Sequence, residues 1–238
     1  APNPEVRLVT DLAAALPEML AAFDLAAGSL YRLAVVRMID KDQLLIVVHH
    51  LCTDGVSWRV LAEDLCAALS AASTGIVPAL PASSDGALVV ASRMADYGRS
   101  EAARSQLDYW QGVEVRAVPL VEPAGAPRAR YRDRATLSLE LDPTATSAVL
   151  LEANRAYGTT AEDLLLTALA RALHARFDAD TTGLLLESPG RLPILADVDA
   201  SRSIGWFTSL YPFVLSLQPG RDLGFQVKSM KEAVRAVP

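Results

Sequence analysis

Two of the three histidines in the chain are neighbours, His49 and His50, and they stand at the end of an apolar run. The stretch reads His49-His50-Leu51-Cys52-Thr53-Asp54-Gly55-Val56-Ser57-Trp58. An imidazole titrates near pH ~6.5, so either ring could take or give a proton at neutral pH. Neighbouring side chains in a strand point to opposite faces, so one of the pair at most can face a given cavity. For the same reason the two cannot chelate one metal ion. Asp54 and Ser57 stand where the start of a following helix needs acceptors, and the positive end of that helix would favour negative charge developing nearby. The plainer reading of His50 is a satisfied, partly buried strand-end histidine.

The elements that must position these residues follow from periodicity. Tyr31 to Met38 and Gln43 to His49 are apolar, β-branched runs around Ile39-Asp40-Lys41-Asp42, which predicts a β-hairpin. Leu44-Leu45-Ile46-Val47-Val48 does not alternate, which predicts a central strand covered on both faces. Residues 10–23 predict a helix with Pro17 as a break, and Ser57 to Ala72 predicts a helix with one apolar stripe. Residues 73–90 read as a surface connection before a helix from Ala91 to Trp110. Residues 113–134, with prolines and a basic cluster, are the expected interlobe linker, which leaves 1–112 and 135–238 as two lobes. The second half predicts a strand over Ala135 to Leu141 and helices over Thr144 to Ala156 and Thr160 to Arg176. Thr160 and Asp163 have the spacing of a capping box. Strands over Thr182 to Glu187 and Ser209 to Leu217, then a helix over Leu223 to Ala236, complete an α/β or α+β chain.

Composition narrows the function. Of 238 residues, 51% are hydrophobic, which is ample for a packed core. Lys and Arg number 22 against 28 Asp and Glu, a net charge of -6, which argues against a nucleic-acid module. Two cysteines, Cys52 and Cys66, make no disulfide framework, and with three histidines a Cys/His zinc site is not expected. Cytoplasmic localisation is the expectation. No window approaches the ~20 apolar residues of a membrane span, and the N-terminus lacks a signal-peptide pattern. A chain that does not begin with Met is expected to be part of a longer one.

His49-His50-x-x-x-Asp54-Gly55 matches the H-H-x-x-x-D-G signature of the condensation-domain superfamily of nonribosomal peptide synthetases. Its extension Val56-Ser57-Trp58-Arg59 resembles the epimerization branch. Ile204-Gly205-Trp206-Phe207-Thr208-Ser209-Leu210-Tyr211-Pro212 is similar to that branch's V-G-W-F-T-S-x-Y-P. Weaker matches run from Phe23 to Pro238, Leu107-Asp108-Tyr109-Trp110 among them. Where epimerization domains carry E-G-H-G-R-E, this chain has Glu187-Ser188-Pro189-Gly190-Arg191-Leu192, so the His and the last Glu differ. Family patterns from both ends of the complete domain are missing, so the resemblance is to a domain truncated at both ends.

The resemblance implies a two-lobed fold like that of chloramphenicol acetyltransferase, here incomplete, with a tunnel between the lobes. It implies an aminoacyl or peptidyl thioester delivered on the 4'-phosphopantetheine arm of a peptidyl carrier protein, adjacent synthetase domains as further partners, and no cofactor bound directly. In that branch the Cα proton is removed and returned on the opposite face. His50 would act on one side and Glu187 on the other, and burial would have to bring Glu187 toward neutrality for this work. His49, Asp54, Gly55 and Arg191 would shape the site, Asp54 by pairing with Arg191. Gly55 is expected to permit a turn barred to other residues. Ser57, Trp58, Trp206, Thr208, Ser209 and Tyr211 would line the tunnel. The alternatives are a condensation-type acyl or peptidyl transferase, and a degenerate fragment that only docks a carrier protein.

Overall fold

The computed structural model describes residues 6–82, 84–120, 130–191 and 194–238. Residues 1–5, the stretch 121–129 of the expected linker, and Leu192 fall outside the described residues. Contacts group the chain into two compact units: Ala1–Arg99 with Ser188–Ser209, and Ser100–Glu187 with Leu210–Pro238.

The first unit holds β1 (Val6–Val9), α1 (Leu12–Ala21), β2 (Tyr31–Arg37), β3 (Asp42–Val48), α2 (Gly55–Ser73) and α3 (Ala87–Tyr97). Strand β1 runs parallel to β2, with α1 as the crossover a parallel pair requires. Strands β2 and β3 form the expected hairpin, with Tyr31 opposite Val48 and Arg37 opposite Asp42. The sheet order is β1-β2-β3, so among the described residues β3 is an edge strand, not the central one its unbroken apolar run suggests. Ala34 and Val36, two apart on β2, share a face and pack with Val9, Ala15 and Met19. That packing carries α1 straight through Pro17, where a break was expected: Ala15 and Met19, on either side, are both buried.

The expected helix from Ala91 to Trp110 is three helices. After α3 the chain turns at Gly98, and the Ser100 side chain accepts from the Ala103 N–H at 3.2 Å. This cap starts α4 (Glu101–Arg104), and α5 (Leu107–Arg116) follows.

The second unit continues with α6 (Pro143–Ser147), a π-type turn at Ala148–Glu152, α7 (Ala153–Tyr157) and α8 (Ala161–Phe177). Then come β4 (Thr181–Ser188), β5 (Ser209–Ser216), which pair, and α9 (Leu223–Arg235). By contact grouping Ser188 and Ser209 belong to the first unit. The capping box is present: Thr160 Oγ1 accepts from the Asp163 N–H at 3.3 Å, and Asp163 Oδ2 from the Thr160 N–H at 2.8 Å. Leu166 and Ala170 of α8, Phe213 and Leu215 of β5, and Met230 of α9 form the core. The expected strand over Ala135 to Leu141 is not formed. Its alternating Leu137, Leu139 and Leu141 are all exposed, without a partner strand among the described residues. His174, the third histidine, lies 2.8 Å from Asp180.

The divide falls elsewhere than at 113–134. Val113 to Arg116 is the end of α5, and the boundaries lie after Arg99, after Glu187 and after Ser209. Residues 188–209 return to the first unit because their side chains and backbone bond to it, as the candidate site makes plain.

Candidate functional site

Asp54 is the N-cap of α2, with extended backbone at φ -134°, and Oδ1 accepts from the Ser57 N–H at 2.7 Å. This is the local part that the sequence spacing foretold. The rest comes from residues far along the chain. Arg191 Nη2 donates to Asp54 Oδ1 at 2.7 Å and to Oδ2 at 3.0 Å, and the Phe207 N–H donates to Oδ2 at 3.1 Å. Both members of the pair are buried, with 6% of the Arg191 side chain and 2% of that of Asp54 exposed. Burial on its own would push the Asp54 carboxyl up. The bonds from Ser57, Phe207 and Arg191 outweigh it and hold the group below its ordinary value.

Arg191 is itself fixed. Its Nη1 donates to the carbonyls of Ala200 and Ser203 at 2.8 and 2.7 Å, and its guanidinium lies 4.2 Å above the Phe207 ring. Gly190, just before it, has φ +63°, and a Cβ there would sit 1.7 Å from the Phe207 carbonyl oxygen. Only glycine lets the backbone come so close.

Ser57 was expected on a tunnel wall, and the structure corrects this. The residue is 0% exposed. Its hydroxyl lies 2.8 Å from Asp54 Oδ1 and 2.9 Å from the Gly205 carbonyl, and it accepts from the Gly205 N–H and Arg191 Nη2. A hydroxyl so engaged is structural and has no lone pair left for a ligand. Gly55 is corrected too: its φ is not in the left-handed region, and a Cβ there would meet open space. The special backbone belongs to Gly190.

The two histidines leave the strand at once, since β3 ends at Val48. His49 Nδ1 accepts from the Leu51 N–H at 3.2 Å, and its ring meets the edge of Phe23 at 5.6 Å. His50 Nδ1 lies 2.9 Å from the Thr53 carbonyl oxygen. A carbonyl only accepts, so Nδ1 is the donor to it, and in the neutral ring Nε2 is then the nitrogen with the lone pair. His50 is exposed and lines a recess of about 160 Å³ with Val48, Thr53, Asp54, Gly55 and Trp58. The Trp206 ring lies 5.8 Å from the His50 ring. Burial pushes the Cys52 thiol up, away from reactivity.

The other expected residues are dispersed. Trp206, Thr208 and Ser209 belong with His50 in the first unit, while Tyr211 packs on the core of the second, its ring 6.5 Å from Trp110. Glu187 belongs to the second unit, near the end of β4, and is exposed. Among the described residues no group of three or more His, Cys, Asp or Glu side chains is placed to hold a metal ion, and no helix is long and apolar enough to cross a membrane. Sequence reasoning missed Phe207, whose N–H and ring serve Asp54 and Arg191. Its only signal was its place in the Gly205-Trp206-Phe207 block.

The family model described as Condensation domain matches residues 10–238. Surfactin synthase subunit 1 of Bacillus subtilis (strain 168) is 36% identical over 219 residues, covering 91% of this chain and 6% of that protein. The crystal structure of the epimerization domain from the third module of tyrocidine synthetase B superposes with a TM-score of 0.88 at 32% identity, over 100% of this chain and 56% of that one. The first condensation domain of the calcium-dependent antibiotic synthetase superposes with a TM-score of 0.70 at 24% identity, over 97% of this chain and 55% of that one. The shared fold is the mixed α/β fold of the chloramphenicol acetyltransferase type. The chain thus spans about half the length of its structural neighbours and a small fraction of the curated relative.

Proposed function

The chain belongs to the Condensation domain family, and from that premise we propose that it serves the epimerization of an aminoacyl or peptidyl thioester held on a carrier protein. The observation that carries the proposal is the state of His50. With Nδ1–H bonded to the Thr53 carbonyl and the residue lining the recess, the neutral ring has its lone pair on Nε2, the base proposed to take a proton from Cα. The thioester carbonyl takes up the resulting charge as an enolate, and a proton returned to the other face of Cα completes inversion. Glu187 is the group proposed for that other face. Asp54 and Arg191 keep α2 and the segment 188–209 in register around the base, and His49 holds the turn. Trp58, Trp206, Thr208 and Ser209 are proposed to flank the substrate, and Tyr211 only to pack. The substrate arrives on a phosphopantetheine arm, in a cytoplasmic synthetase with further domains as neighbours.

One observation favours a second reading, acyl or peptidyl transfer. Glu187 is exposed, which leaves His50 as the one proposed base in a recess, and amine attack on a thioester needs only one.

The test loads a carrier protein with an L-aminoacyl thioester in deuterated water and follows the D/L ratio and deuterium at Cα. Uptake with inversion, lost in His50→Ala, is the expected result. Peptide-bond formation with a second loaded carrier and no uptake would overturn it in favour of transfer. Carrier binding with neither reaction would leave only docking.

A further inference from the structure

A second cavity, of about 410 Å³, opens in the first unit between α3 and residues 188–209. Val90 and Met94 form one wall, and Ile194, Val198, Trp206 and Phe207 much of the other. The size lies within the usual ~300–1,000 Å³ of small-ligand sites. The walls are tied together. Arg93 of α3 is paired with Asp197, and Asp85 and Asp199 exchange backbone and side-chain bonds, both at 2.9 Å. The cavity is therefore built into the fold. Two charged residues touch it, and both are already engaged: Arg191 by Asp54, and Asp199 by the Ser201 and Asp85 bonds. Trp206 is shared, lying 5.8 Å from the His50 ring and also lining this cavity.

We propose that this cavity receives the side chain of the residue whose Cα is inverted, and that it selects bulky, uncharged aliphatic or aromatic side chains. The inference rests on the reading of the substrate as a tethered aminoacyl thioester at His50. Trp206 stands beside His50 and also lines this largely apolar cavity, which has no free charge to pair an ionic group. Burial of a carboxylate or ammonium in it would go uncompensated.

The test titrates the chain with L-leucyl-, L-phenylalanyl-, L-seryl- and L-aspartyl-pantetheine amides by calorimetry. Leucyl and phenylalanyl compounds should bind roughly tenfold or more tighter than seryl and aspartyl ones, the effect of burying one large apolar side chain. Ala91→Trp, on the α3 wall, fills the cavity and should abolish the preference, while Ile194→Ala enlarges it and should move the preference from leucyl to phenylalanyl. Equal affinities in the wild type, or a preference unchanged in both variants, would overturn the proposal. Deuterium uptake at Cα of the matching thioesters is read separately. Uptake without side-chain preference removes the cavity's role and leaves epimerization standing. Preference without uptake does the reverse.

Discussion

Three residues separate His50 from Asp54, and the two are held in opposite ways. The Asp54 carboxylate is buried and receives donors from its own helix and from two residues more than a hundred positions away. His50 is exposed, with one ring nitrogen bonded to a nearby carbonyl. The group suited to fix geometry is saturated, and the group suited to react is left with a free nitrogen. A motif that reads as one unit in sequence thus holds one group for architecture and leaves the other for the proposed chemistry.

Variants can break this contrast from the architectural end first. Asp54→Asn keeps the shape but strands the buried Arg191 charge, and a loss of about 3–5 kcal/mol should appear in the urea midpoint. Gly190→Ala forces a Cβ into the Phe207 carbonyl and should cost at least about 2–3 kcal/mol by the same measurement. Acid provides a reagentless version. The Asp54 carboxyl is held below its ordinary value, so its contribution is complete above the unfolded carboxylate range of about pH 3.9 and is lost as pH falls through the folded value below it. Stability measured from pH 6 to pH 2 should therefore fall more steeply in the wild type than in Asp54→Asn.

At the chemical end the order reverses. His49→Ala removes the acceptor for the Leu51 N–H and the edge contact with Phe23, and should cost about 1 kcal/mol of stability. His50→Ala should shift the midpoint by no more than that while lowering deuterium uptake by about 10²–10⁴-fold. Equal activity losses in the two, at equal stability, would erase the distinction between them. Gly55→Ala sharpens the contrast with Gly190, because its Cβ meets nothing, and stability should stay within about 0.5 kcal/mol or rise.

What the sequence could disclose was whatever is local. The hairpin follows from two β-branched runs, the start of α8 from Thr160 and Asp163, and the start of α2 from Asp54 and Ser57. Signals needing a distant partner misled. Leu137, Leu139 and Leu141 alternate like a strand, but alternation cannot say whether another strand lies alongside. The run Leu44 to Val48 has the texture of a central strand, but its place in the sheet depends on what pairs with it. Ser57 looked available because its identity says nothing of Gly205 or Arg191 folding over it. Gly190 is a glycine because of Phe207, and no local rule connects them. The Asp54–Arg191 pair came from family resemblance alone.

Asp54 and Arg191 are 137 residues apart. At ribosomal speeds of about 5–20 residues per second, the acid is synthesised roughly 7–30 s before its base exists. The first unit therefore cannot finish folding as it emerges. It must wait, with its future interior charge still hydrated, while residues 100–187 of the second unit are translated.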